Sequence, residues 1–296
     1  MNHVAFDACD IQRLQHAVDY AHHASKSSLE TLLPSWMPGA LKREIKSQCM
    51  VSHCATLLFP TSEQSAMEYF RENGWRAADV IPSVLVKRRL VERHGLPDDV
   101  RILVTRLRVT KNTGPQVEIF LFPRSSPGYR PEVVDEERAH GFENHVGLFL
   151  DRPRPAALAS LADRMETLGG MVYEGSAHNP HENTTMLYFA PGARVARVRR
   201  RFPRWELQCA GDLTAVADAR TVRVEEVQRA YAALRMNSTS AVFTAITPVA
   251  PVTPVAATAP VTPVASITRV SPVAPATPSS TGPPSKAPTP TAPTSA

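Results

Sequence analysis

Two stretches of this chain repeat one another in order and in chemistry, and the repeat limits the folds open to it. The first reads Ser52-His53-Cys54-Ala55-Thr56-Leu57-Leu58-Phe59. It continues through a helical stretch ending at Gly74 to β-rich runs, the last being Val117-Glu118-Ile119-Phe120. The second reads Asn144-His145-Val146-Gly147-Leu148-Phe149-Leu150. It continues through a helix ending at Gly169 to strands, the last being Trp205-Glu206-Leu207-Gln208. Each half opens with a histidine in a strand and closes with a glutamate in an otherwise apolar strand. The separations are similar, 65 residues from His53 to Glu118 and 61 from His145 to Glu206.

Local signals fill in the elements. Ile11, Leu14, Val18 and Ala21 recur at helical spacing, with Asp10 placed to cap the helix. The run 34–39 breaks this pattern, and a short helix is expected over 40–47. Residues 49–59 form a strand. Thr61 and Gln64 have capping-box spacing before a helix that runs to Asn73. A helix is expected over 82–94, then a hairpin of 101–110 and 116–123 about the Asn112–Gly114 turn. Residues 124–141 are polar and acidic and read as a loop. A strand at 143–150, a helix at 156–168 and strands at 171–177, 184–190 and 203–210 complete the second half. An amphipathic helix follows at 224–236.

The organisation expected is a helical extension (1–48), a first βαβββ-like module (49–124), a linker loop (125–142) and a second βαβββ module (143–212). A helical segment (213–245) and a tail (246–296) follow. The tail holds 13 of the 27 prolines and two charged residues, Arg269 and Lys286. Its loose Thr-Pro-Val-Ala repeat cannot form helix or sheet, so it is expected to be disordered with polyproline II character. Such a segment suits a spacer or a ligand for a proline-recognition module. Without the tail the chain carries 31 basic and 28 acidic residues, so the overall +5 does not describe a nucleic-acid binder. No apolar run is long enough to cross a membrane. The start of the chain lacks a basic stretch followed by an apolar one. Four scattered cysteines do not read as a disulfide framework. The expected location is cytoplasmic.

A single glutamate between large apolar residues is explained by alternation, with its side chain facing water on a half-buried sheet. A single strand histidine is equally ordinary. Recurrence changes the reading. Two histidine–glutamate pairs at matching places in two similar halves, related by pseudo-twofold symmetry, set two imidazoles and two carboxylates about one point. That set suits a divalent metal and leaves positions open for substrate. Other clusters compete less well. His178 and His181 lie in a turn-like Asn-Pro segment and are better placed for substrate contact than as ligands. His22 and His23 are adjacent on a helix and point apart. Cys49 and Cys54 fall on opposite strand faces. Six arginines between Arg194 and Arg204 form a charged connection that would draw in an anionic small molecule or stay solvated.

On these residues the chain resembles the vicinal-oxygen-chelate superfamily, which includes glyoxalase I, methylmalonyl-CoA epimerase, extradiol dioxygenases and metal-dependent antibiotic-resistance enzymes. The resemblance spans roughly residues 49–212. It implies an α+β fold, two βαβββ modules whose mixed sheet forms a cup, with the terminal helices added outside it. It implies metal ligands at His53, Glu118, His145 and Glu206, with Glu118 or Glu206 moving a proton, on Fe2+, Mn2+, Ni2+, Co2+ or Zn2+. The implied activity is a lyase or isomerase that stabilises an enolate-like intermediate on a small-molecule substrate. The alternatives are a non-haem Fe(II) dioxygenase using two histidines and one carboxylate, and a metal-free protein that sequesters a small molecule.

Overall fold

Alternation sorts the strand residues into two faces, and this sorting builds the molecule. The computed structural model describes residues 5–110, 114–180, 182–198 and 200–239. The turn expected at 111–113, His181, Arg199 and the proline-rich tail lie outside the described residues. Helices α1 (Ala8–Ala24), α2 (Leu29–Leu32) and α3 (Gly39–Gln48) lead into the first half. That half comprises β1 (Met50–Leu58), α4 (Glu63–Glu72), β2 (Arg76–Ala77), β3 (Ile81–Pro82), α5 (Val84–His94), β4 (Leu103–Arg108) and β5 (Gln116–Leu121). Helix α6 (Pro131–His140) joins it to β6 (His145–Leu150), α7 (Pro155–Thr167), β7 (Met171–Asn179), β8 (Thr184–Pro191) and β9 (Arg204–Ala210). Helices α8 (Thr214–Asp218) and α9 (Val224–Thr239) follow.

The strands form one open mixed sheet in the order β2-β4-β5-β1-β6-β9-β8-β7, with β3 also on β4. In each half the last strand returns parallel beside the first, β5 on β1 and β9 on β6. The halves meet through antiparallel pairing of β1 with β6. With β2 and β3 together taking the second place in the first half, each half has the order first, fourth, third, second, and the two are related by a pseudo-twofold at the centre. The sheet curls strongly. Strands β4 and β8 are five spacings apart, about 24 Å along a flat sheet. Yet Arg106 of β4 donates a 2.6 Å hydrogen bond to Glu182, beside β8.

The convex face carries Cys54, Leu58, Val117, Ile119, Val146, Leu148, Trp205 and Leu207. These pack with Leu14, Ala17 and Val18 of α1, Leu41 of α3, Phe70 of α4 and Leu161 of α7. The concave face of the first half carries Ala55, Leu57, Phe59, Phe120 and Phe122. These have the parity of His53 and Glu118, and they pack under Val86 and Leu90 of α5 and Val133 and Val134 of α6. In the second half Tyr231 of α9 packs edge-on against Phe142, with the Arg93 guanidinium over the Tyr231 ring. The expectation that the added helices lie outside the cup therefore holds for α1 but not for α9, which with α5 and α6 covers the concave side.

Several local expectations change. The stretch read as a linker loop contains α6, begun by Pro131 and an acidic first turn, because Val133 and Val134 find apolar cover on the sheet. Helix α1 is capped by Asp7, whose Oδ1 accepts from Asp10 N at 3.0 Å. Asp10 is buried and binds Arg138. The capping box before α4 is Ser62 with Ser65, not Thr61 with Gln64. Strand β7 runs on through His178 and Asn179, residues read as part of a turn. Arg204, read as part of a solvated connection, is buried. Among the described residues no helix is long and apolar enough to cross a membrane.

Candidate metal centre

Register brings the four predicted residues together in two rows across the concave face. One row reads Arg106, Glu118, Ala55, His145, Arg204, strand to strand. The other reads Gln116, His53, Gly147, Glu206, Tyr188. Each row places a small residue, Ala55 or Gly147, between a histidine of one half and a glutamate of the other. The gap lets the two side chains lean over the same point. It is tight at Gly147, where a Cβ would sit 2.1 Å from His53 Cε1. His53, Glu118, His145 and Glu206 are all buried.

The two imidazoles face one another, with His53 Nε2 3.2 Å from His145 Nε2. Glu206 Oε2 lies 3.4 Å from His145 Nε2 and 3.9 Å from His53 Nε2. Glu118 Oε2 lies 3.8 Å from His145 Nε2 and 3.9 Å from His53 Nε2. One ligand atom from each of His53, Glu118 and His145 falls within 4.8 Å of the others, a group able to hold a metal ion. The chemistry of the donors fits. His145 Nδ1 lies 2.9 Å from the Glu143 carbonyl oxygen. A carbonyl only accepts, so Nδ1 carries a proton, and Nε2 is the ring nitrogen turned toward the cluster. Two imidazole Nε2 atoms and two carboxylates thus converge, and positive charge, from a proton or a cation, must compensate the buried carboxylates. Burial lowers the pKa of His53 against the pull of Glu118 and Glu206, which favours the neutral, ligating ring. Burial alone would raise Glu206. Hydrogen bonding by His145 and the electrostatic influence of His53, His145 and Arg106 instead bring it down to about 2.

The surroundings hold the donors in place. Arg106 Nε donates to Glu118 Oε1 at 3.0 Å while its Nη1 binds Glu182. The carboxylate of Glu143, the residue whose carbonyl orients His145, is held by Arg93 at 2.8 Å, Arg204 at 3.2 Å and Arg89 at 3.3 Å. Arg204 Nε also donates to Glu174 at 2.7 Å. These buried charges are matched by opposite ones, which makes their burial tolerable. The Arg89 guanidinium lies 4.4 Å from the centre of the Tyr188 ring. Burial and the nearby Glu206 push the Tyr188 hydroxyl well up, so it stays protonated.

Of the weaker candidates, His178 is half-buried on β7, with Nδ1 3.4 Å from Thr185 Oγ1, and His181 lies outside the described residues. The four cysteines are free, and Cys54 faces α1, its Sγ 3.2 Å from the Ala17 carbonyl. Sequence reasoning missed Arg106, Gly147, Glu143 and Tyr188. Two of these had a signal. His-x-Ala at 53–55 repeats as His-x-Gly at 145–147. Arg106 and Glu118 lie equidistant from Asn112, as facing residues of a hairpin must.

No family model matches the chain, and no curated protein matches it in sequence. Similar solved structures include a methylmalonyl-CoA epimerase, with TM-score 0.34 and 10% identity over 55% of this chain and 95% of that one. The methylmalonyl-CoA epimerase from Mycobacterium tuberculosis has TM-score 0.33 and 15% identity over 56% and 91%. The 2,3-dioxygenase LapB from Pseudomonas sp. KL28 has TM-score 0.29 and 12% identity over 55% of this chain and 43% of that one. The connectivity is more specific than these superpositions. The second half is a βαβββ unit, and the first differs from it by a second position split into β2 and β3 and an added helix α5; two such units joined through their first strands are the fold implied by the resemblance to the vicinal-oxygen-chelate superfamily.

Proposed function

We propose that this protein is a metal-dependent enzyme in which His53, Glu118, His145 and Glu206 hold one divalent cation, Fe2+, Mn2+, Ni2+, Co2+ or Zn2+. The observation that carries the reading is the convergence of four buried donors from equivalent places in two halves. A cation held there supplies Lewis-acid polarisation of two adjacent substrate oxygens. The chain's own residues divide the remaining work. Arg106 fixes the orientation of Glu118. Among the described residues no arginine is bonded to Glu206, which is the carboxylate placed to take a proton from carbon and return it. Tyr188, beside Glu206 in register and kept protonated, donates a hydrogen bond to developing negative charge. Helices α5 and α6 keep water from the concave face. This division supports proton-transfer chemistry, an isomerase, epimerase or lyase acting on a small molecule with vicinal oxygens.

The compact trio of His53, Glu118 and His145 favours a second reading, two histidines and one carboxylate suited to Fe(II) oxygenation. One experiment separates them. Metal-loaded protein is incubated in deuterated water with 2-hydroxy ketones, 2-substituted acyl thioesters and catechols while dissolved oxygen is followed. Deuterium entering the carbon beside a carbonyl, lost in Glu206→Gln, is the expected result. Oxygen consumption with a catechol and no deuterium entry supports the second reading. Neither signal with any of these classes contradicts both.

A further inference from the structure

The arginine-rich connection before β9 has a second use, on the opposite side of the sheet from the four buried donors. A cleft of about 430 Å³ opens there between α1 and the residues entering β9. The size suits a small organic ligand. One wall is aromatic, with the Tyr20 and Phe202 rings 4.7 Å apart between centroids and tilted by 50°. Arg200 and Arg201 line the cleft opposite α1, and His16 and Asp19 line it from the helix.

Arg200 is the telling residue. The buried arginines around the concave face are matched by carboxylates, Arg93 by Glu143 and Arg204 by Glu174. Among the described residues no carboxylate is in ion-pair contact with Arg200 or Arg201. Arg200 is nonetheless fixed. Its guanidinium lies 5.6 Å from the centre of Trp36 and 5.8 Å from that of Trp205, and its Nη2 donates to the Leu32 carbonyl at 2.9 Å. A guanidinium held in place, half-buried and without a counter-charge is a pre-organised anion receptor, because its ordering is complete before the ligand arrives. Asp19, the one acidic group on the cleft, is bonded to Gln15 Nε2 at 2.9 Å. Cationic donors beside an aromatic wall select a ligand that carries both an anionic group and an apolar body.

We infer that this cleft is a second ligand site, separate from the candidate metal centre, for a small organic oxyanion that carries a flat apolar body. The oxyanion is a carboxylate or a phosphate ester, received by Arg200 and Arg201, while the body lies against the half-buried Tyr20 ring, which Phe202 backs from the core.

The test is calorimetric titration of the full chain with phenyl phosphate, benzoate and inorganic phosphate. Saturable binding of phenyl phosphate, benzoate or both is expected, and the preferred probe tells which oxyanion is served. Inorganic phosphate should bind at least about tenfold more weakly, because it lacks the apolar body. Arg201→Gln, at an exposed position, should weaken binding at least about fivefold, and Arg200→Lys about tenfold, because the planar fork is lost. Both variants should keep the circular dichroism spectrum and metal content of the wild type. The inference is overturned if neither organic probe binds saturably, or if inorganic phosphate binds as well as phenyl phosphate. It is also overturned if binding survives in an Arg200→Lys/Arg201→Gln double variant that retains its fold. Loss of binding in His145→Ala/Glu206→Ala with the cleft intact would equally overturn it, by assigning the anion to the metal centre.

Discussion

Gly147→Ala is a one-carbon change that tests the geometry of the centre without touching a donor. Gly147 faces His53 across the β1–β6 pairing and Glu206 across β6–β9. Its backbone is in an ordinary strand conformation, so alanine brings no backbone strain. The added Cβ would instead lie 2.1 Å from His53 Cε1, 2.4 Å from Nδ1 and 2.6 Å from Nε2. Non-bonded carbons settle near 3.5 Å, so the ring must retreat by about 1.4 Å. His53 is only 3% exposed, with Ser52 Oγ 2.9 Å from its Nδ1 and the His145 ring edge-on to it, so there is little room. Overpacking of this kind costs about 1–3 kcal/mol of stability. A retreat of that size also takes Nε2 out of the donor group, and affinity should fall by at least about 100-fold, more than the loss of an outer hydrogen bond would cause. The assay is Co2+ or Zn2+ titration of metal-stripped protein beside a urea melt. A variant that folds with wild-type affinity and unchanged stability would refute the close approach of Gly147 and His53 on which the centre depends.

Arg106→Gln should leave the fold intact and lower metal affinity by about 10–100-fold, because Glu118 loses the donor that orients it. Glu182→Gln, at the exposed end of the same chain of contacts, should change affinity by less than about fivefold. Both are read by the same titration. The Glu174 carboxyl is a pH probe. Burial acts to raise its pKa from 4.5, but Arg204 and Arg89 prevail and hold it lower. A carboxyl depressed in the folded state contributes stability that is complete above the ordinary value and is lost as pH falls through the depressed one. Glu174→Gln should therefore cost about 1.5–3 kcal/mol near neutrality, where it removes one of the two carboxylates paired with Arg204 and leaves Glu143 as the other. The gap from wild type should narrow in urea melts taken below about pH 4.5.

The parts of this molecule that follow period-two or helical patterns were readable in the sequence. Strands β1, β5, β6 and β9 show as apolar runs, and the matched His and Glu in each half pick out the four residues that converge on the concave face. What escaped depends on contacts between distant segments. Helix α6 reads as an acidic loop, because the burial of Val133, Val134 and Glu137 depends on α5 and the sheet lying over them. Glu137 is buried only because Arg93 and His94 of α5 meet it. Strands β2 and β3 have two residues each and carry no periodicity to detect. Arg204 shares a charged run with Arg194 and Arg197, and no local feature reveals that strand β9 turns it onto Glu143 and Glu174. Arg106 was accessible through hairpin arithmetic, but its second partner, Glu182, comes from the far end of a sheet whose curl the sequence does not specify.

The central claim is that His53, Glu118, His145 and Glu206 form one metal site, and metal content tests it most directly. Full-length protein purified without chelator is analysed by mass spectrometry for bound metals, beside a His145→Ala/Glu206→Ala double variant whose fold is checked by circular dichroism. The account predicts about one divalent cation per chain in the wild type and less than about a tenth of that in the folded variant, because two of the four donors are gone. Equal metal in the two proteins would contradict it.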